Sequence, residues 1–131
     1  MLSISKRSTW SNGELVKKIF HITSLLEWER AQEIGFYVAA SFAKEGFIHC
    51  SLASQVLGVA NFKFKGQQGL VLLEIDEAKV KPRVIYEDLY NLNELYPHIY
   101  GPINLDAVVR VLSFPPESDG CFCLPSEVQS S

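Results

Sequence analysis

The sequence predicts an α+β fold in which a split or curved, mostly antiparallel sheet is covered by two helices near the N-terminus. Short apolar runs of strand length recur along the whole chain, whereas helical spacing of apolar residues is confined to its first half. A length of 131 residues, with 47% hydrophobic and 21% charged side chains, suffices for one domain with a buried core.

Residues 1–13 are polar and serine-rich and lack the apolar segment of a secretory signal. The domain is expected over residues 18–125, between tails at 1–17 and 126–131. Residues 18–23 read as the first strand. Ser24-Leu25-Leu26-Glu27 is a capping-box pattern, after which Leu25, Trp28 and Ala31 keep helical spacing up to Gly35, a suitable stop. Trp28 on that stripe reads as core. Residues 35–40 read as a second strand, and Lys44-Glu45-Gly46 as a turn into a third. A second helix is expected over about 53–62, with Leu52, Val56 and Val59 on its buried stripe. The nearly continuous apolar run 70–76 fits a central strand covered on both faces, and 107–114 reads likewise. Between them lie a strand at 84–88, a polar loop at 90–94 and a histidine segment at 96–101. Past a turn at 115–120, residues 121–124 are expected as a last short strand.

The chain has three histidines, and each ends a short apolar run. In strands, alternation turns His21 with Thr23, His49 with Ser51 and His98 with Tyr100 away from Phe20, Ile22, Ile48, Cys50 and Ile99. Each segment is then expected to show one apolar face and one polar, chemically able face. Two of them lead into helix starts, where imidazole, hydroxyl and free backbone N–H groups can meet one ligand. Thr23 or Ser24, and Ser51 or Ser54, are the expected caps. A purely structural imidazole, bonded to a neighbouring strand, is the competing reading at each position. Glu74 within a central strand requires either a partner or a wet strand end.

A net charge of −3 and a pI near 5.6 argue against a non-specific grip on nucleic acid, and no nucleic-acid partner is predicted. Lys79, Lys81 and Arg83, and Lys63 with Lys65, read as solvated surface. Three cysteines make no disulfide framework and point to a reducing cytoplasm, and no stretch is long enough to span a bilayer. The histidines and Cys50, Cys121 and Cys123 lack the paired spacing of structural zinc. No metal is predicted, and a three-histidine metal site is the lesser alternative.

His21-Ile22-Thr23, Trp28, Ala31, the block Glu45-Gly46-Phe47-Ile48-His49-Cys50-Ser51, Leu72-Leu73-Glu74-Ile75-Asp76, and Pro97-His98-Ile99-Tyr100-Gly101-Pro102 with Ala107-Val108-Val109 carry a resemblance. Together they resemble a small bacterial family of uncharacterised proteins, domain-of-unknown-function family nine-five-two, over residues 18–125. That family is grouped by fold with the ADP-ribosyltransferases, including RNA 2′-phosphotransferases that use NAD as phosphate acceptor. The resemblance therefore implies an ADP-ribosyltransferase-like fold, a transferase activity and NAD. By the same resemblance His21, with Thr23, is similar to the first-strand position that binds the nicotinamide-side ribose and amide. His49 is similar to the position that clamps the nicotinamide end. A third position, a ribose-binding glutamate in many transferases, has no clear match, and Glu74 and Glu87 are the available acids. The paired histidines resemble the phosphotransferase branch more than the glutamate-bearing one.

The expected site is a cleft bounded by His21, Thr23, Ser24, His49, Ser51, His98 and Tyr100, with His21 and His49 as candidate catalytic residues. Two functions satisfy this pattern. One is an NAD-binding transferase of ADP-ribosyl or 2′-phosphate groups, and the other is a non-catalytic module for a nucleotide or phosphorylated metabolite.

Overall fold

The computed structural model describes residues 17–128 and, of the segment before them, the backbone of 10–11 and 14–15. The elements run β1 (Trp10–Ser11), β2 (Glu14–Leu15), β3 (Lys18–Ser24), α1 (Leu25–Ile34), β4 (Phe36–Tyr37), α2 (Phe42–Glu45), β5 (Ile48–His49), α3 (Val56–Lys63), β6 (Leu70–Asp76), β7 (Arg83–Glu87), β8 (Tyr96–Tyr100), β9 (Ile103–Asn104) and β10 (Val108–Ser113). Short 3-10 turns occupy Ala53–Gln55, Glu77–Lys79 and Leu105–Ala107.

Two three-stranded sheets, ordered β10-β6-β3 and β5-β8-β7, make the framework, and all their pairings are antiparallel. The sheet is split, as expected, and the halves meet at one point. There Phe20 and Ser51 exchange both backbone hydrogen bonds, at 2.7 and 2.8 Å.

Every residue of β6 is buried, which is what its unbroken apolar run requires of a central strand. Val71, Leu73 and Ile75 enter one core with Ile19, Trp28, Ala31, Tyr37, Ile48 and Ile99. Leu70 and Leu72, on the opposite face, enter a second core with Phe20, Ile22, Val56, Ala60, Leu112 and Phe114. Each face thus buries its own apolar layer against helices or loops. Val128, expected within the C-terminal tail, is buried in the second core.

Helix α1 starts where the capping pattern placed it: the Ser24 hydroxyl accepts from Glu27 N at 3.0 Å, and Gly35, at φ 106°, closes it. The helical stretch near 53–62 begins as a 3-10 turn and continues as α3. Its first turn is tied by the Gln55 side chain, whose Oε1 accepts from Leu52 N, so neither Ser51 nor Ser54 is the observed cap.

Several expectations are corrected. The strand at 35–40 contracts to Phe36–Tyr37, and a third short helix, α2, precedes the Gly46 turn. A run of small residues, Ala39-Ala40-Ser41, does not hold strand pairing there. Strand β10 lies at a sheet edge with Val109 and Val111 exposed, instead of being covered on both faces. Residues 121–124 form no strand, although Phe122 is buried against Phe114. Glu74 is not at a wet strand end. It is buried, and Lys18 Nζ and Arg110 Nε bond its two carboxylate oxygens at 2.9 and 2.6 Å. Burial alone would raise this carboxyl, but the two cations hold it below the ordinary glutamate range.

Leu72 is fully buried within the second core. Leu72→Ala is expected to cost about 2–5 kcal/mol, because the removed methyl groups leave a cavity the sheet cannot collapse into. Urea unfolding checks this, and a midpoint shift worth less than about 1 kcal/mol would contradict the packing described.

Candidate functional site

His21, His49 and His98 all line a single cleft of about 1070 Å3, built from β3, β5, β8, α2, α3 and the loop before β8. Its walls are largely apolar, with a few convergent polar groups, which is the usual make-up of a small-molecule site.

Strand β3 delivers His21 and Thr23 to the α1 side of the sheet. That face is not the separate polar face expected, because Ile19 shares it and packs into the first core. Both polar side chains are consequently buried. The His21 ring satisfies both of its nitrogens. Nδ1 lies 2.5 Å from the His49 carbonyl oxygen, which can only accept, so Nδ1 carries the proton. Nε2 lies 2.8 Å from Tyr37 Oη, which is in turn 2.9 Å from Thr23 Oγ1. Burial pushes the His21 imidazolium down to about 4, so the ring is neutral at pH 7 and Nε2 accepts the Tyr37 proton. Thr23 then donates to Tyr37. The chain Thr23 to Tyr37 to His21 to the His49 carbonyl runs in one direction, and no member is left unpaired. Tyr37, fully enclosed, has its phenol raised to about 12 by burial.

His49 is different. Its ring is about one-quarter exposed, and Nε2 lies 2.8 Å from Glu45 Oε1. Burial lowers the imidazole below its ordinary value, opposed by the Glu45 carboxylate and assisted by Lys63 and His98. Glu45 itself lies below the ordinary carboxylate range: partial burial raises it, but hydrogen bonding from His49 and the His49 charge outweigh that. Tyr90 from the loop before β8 lies nearly parallel to the His49 ring, with centroids 6.1 Å apart.

His98 faces His49 edge-on across β5 and β8, 5.2 Å between centroids, and stacks on Phe47 at 4.3 Å. Its ring is buried, with Nδ1 3.0 Å from Glu87 Oε2. The same carboxylate oxygen accepts from the Tyr100 hydroxyl. Hydrogen bonds from Tyr100 and His98 hold Glu87 below its ordinary range.

Of the expected site residues, His21, Thr23, Ser24, His49, Ser51 and His98 line the cleft, and Tyr100 does not. Tyr100 reaches outward to Glu87 from the end of β8. The helix-start N–H groups expected to face a ligand are partly taken within the fold, by Ser24 and by Gln55. Glu74 is outside the lining, held by Lys18 and Arg110, whereas Glu87 is in it. Tyr37, Glu45 and Tyr90 are cleft residues that the sequence reading passed over. Glu45 stands four residues before His49 across a glycine turn, a visible signal, while Tyr37 and Tyr90 carry none. A three-histidine metal site is overturned, since both His21 nitrogens are occupied, and among the described residues no group of three or more metal-ligating side chains converges. Nor, among them, is any helix long and apolar enough to cross a membrane.

The model of a family described as Protein of unknown function (DUF952) matches residues 22–111, a span that holds His49 and His98 and starts one residue after His21. Among solved structures the chain is similar to protein CC0527 from Caulobacter crescentus. Its crystal structure is 29% identical with a TM-score of 0.76, covering 82% of this chain and 95% of that one. Its solution NMR structure is 28% identical with a TM-score of 0.70, covering 85% and 96%. No curated protein matches the chain.

Two outcomes follow from the His21 network. As pH falls, the unfolded chain binds a proton at this imidazole near 6.5 that the folded chain refuses until about 4. Stability contributed by the neutral ring is therefore complete above pH 7 and falls by up to about 3 kcal/mol between pH 6.5 and 4. Urea midpoints at pH 7 and 4.5 should show that slope in the native chain and its absence in His21→Gln; equal slopes would contradict a buried neutral ring. Tyr37→Phe leaves Nε2 buried without its donor and should cost about 1–3 kcal/mol at pH 7, read from the same unfolding curves.

Proposed function

The chain belongs to the family described as Protein of unknown function (DUF952), and for its cleft we propose the binding of NAD and the transfer of its ADP-ribosyl group to a small acceptor. The single observation carrying this reading is the convergence of His21, His49 and His98 on one cleft with room for a dinucleotide. It is joined by the ADP-ribosyltransferase-like grouping that the family resemblance implies.

In this reading His21 acts by position, because both of its nitrogens are engaged: it fixes the backbone of His49 and the hydroxyl of Tyr37. The Tyr90 ring, beside the half-open His49, offers a flat surface to the nicotinamide. Ser24, Ser51 and Lys63 line the same space and offer hydroxyls and one cation to the ribose and phosphates. Glu87, ionised at the cleft, is the acid available to a ribose hydroxyl and to positive charge developing on the sugar. Three lining carboxylates, Glu27, Glu45 and Glu87, outnumber the one lining cation, Lys63. Lys63 is taken by the phosphates of NAD itself, which leaves no lining cation for a phosphate on the acceptor, so ADP-ribosyl transfer fits this cleft better than acceptance of an RNA 2′-phosphate.

Calorimetric titration with NAD, followed by chromatography for nicotinamide release, tests the reading. Saturable binding with release is expected, with release reduced at least about tenfold in His49→Ala and in Glu87→Gln. Saturable binding without release would replace the transferase by a nucleotide-binding module. No binding at millimolar NAD, in a protein with native circular dichroism, would remove NAD altogether.

A further inference from the structure

Helix α2 was not expected from the sequence, and its last residue is the one that reaches the functional histidine. The glycine after it, Gly46, takes φ 82°, a left-handed conformation that reverses the chain so that Glu45 comes back against β5. Glu45 Oε1 accepts from the His49 Nε2–H at 2.8 Å, and Oε2 lies 3.5 Å from the Tyr90 hydroxyl. An exposed pair four residues apart on one helix is commonly a surface contact worth little. This pair is not of that kind, since it joins a helix to a strand across a tight turn and both partners line the cleft.

With Nε2–H directed at Glu45, a neutral His49 carries its lone pair on Nδ1. No described residue bonds Nδ1, and among the described residues no buried side-chain nitrogen lacks a partner, so Nδ1 is accessible to solvent on a ring that lines the cleft. The backbone of the same residue is held by the His21 ring. His49 is thus fixed at its carbonyl, fixed at one ring nitrogen, and free at the other.

We propose that Glu45 is a positioning residue that holds His49 as a general base with Nδ1 facing the acceptor. The role of that base rests on the transferase reading above. His49 Nδ1 takes the proton of the acceptor hydroxyl as its oxygen bonds C1′ of the nicotinamide-side ribose. The C1′–N bond breaks with its electron pair leaving on nicotinamide, which departs neutral, and His49 later returns the proton to solvent. The titratable and charged groups facing this imidazole are Glu45 from α2, Lys63 from α3, His98 from β8 with Glu87 of β7 behind it, and Tyr90 from the loop; Glu45 is the one bonded to its ring.

Nitrogen-resolved NMR of the imidazoles in the full chain tests the positioning without any substrate. At pH 7.5 the expected signature of His49 is a protonated Nε2 and an unprotonated Nδ1. Glu45→Gln keeps an acceptor beside Nε2 but removes the charge, so the His49 titration midpoint should fall by about one pH unit. In the pH profile of kcat/KM for nicotinamide release, the acid limb should move down by the same amount. Glu45→Ala should lose the tautomer preference and lower kcat about tenfold or more with KM changed far less. A native His49 protonated on Nδ1, or a midpoint that Glu45→Gln leaves in place, overturns the proposal. If the tautomer and midpoint behave as expected while NAD is not turned over, the transferase reading fails and Glu45 still positions His49.

Discussion

The seam between the two half-sheets is the constraint on which the rest of the molecule depends. Phe20 and Ser51 pair their backbones there, and one residue away the His21 ring hydrogen-bonds the His49 carbonyl. These contacts join strands that belong to different sheets, and they do so beside the cleft, so sheet geometry and site geometry are one problem. A backbone carbonyl at a seam has no ladder partner by default and requires a donor. His21 is that donor. Its cost is a buried imidazole that must stay neutral, and the Tyr37 and Thr23 hydroxyls make the arrangement stable by satisfying the second nitrogen.

Buried charge elsewhere in the sheet follows a different rule. Glu74 lies opposite Phe20 and Arg110 in register, between two strands that each supply a cation, and it is closed off from the cleft. Glu45 and Glu87, in contrast, each hold one imidazole at the cleft, and among the described residues Lys63 is the one cation in its lining. The carboxylate embedded in cations belongs to the framework, and the carboxylates paired with histidine belong to the cleft. Which acid faces the cleft and which is enclosed follows from the groups that the neighbouring strands place beside each one.

How much could be read in advance is clear from particular residues. Local signals were strong at α1, where Ser24 and Gly35 act as their types suggest, and at β6, whose unbroken apolar run is buried on both faces. Alternation separated His98 from Ile99 and His49 from Ile48, since Ile48 and Ile99 enter the first core and the histidines turn the other way, but the face His98 occupies is itself buried, against Phe47. It misjudged β3, which is covered on both sides, so that His21 and Thr23 share a buried face with Ile19. Strand position in a sheet is a tertiary fact that a period of two does not contain, which is also why β10 was read as central and is an edge. Tyr37 and Tyr90 reach the cleft from short or irregular segments whose placement is set by packing, and α2 has only four residues, too few for helical spacing to register.

The three histidines, alike in their sequence settings, are made unlike by their neighbours. His21 is enclosed, neutral and bonded at both nitrogens, so it can transmit position and cannot exchange a proton near neutral pH. His98 is buried against Phe47 with its Nδ1 on Glu87. His49 alone among them combines partial exposure, a carboxylate at one nitrogen and an unengaged second nitrogen. Proton transfer requires access as well as basicity, and a ring that gives up either becomes structural. In the transferase reading, proton transfer therefore falls to one imidazole, and the other two lie against it, His21 bonded to its backbone carbonyl and His98 with its ring centroid 5.2 Å away. Convergence brings like residues to one cleft; their differing burial makes them chemically unlike.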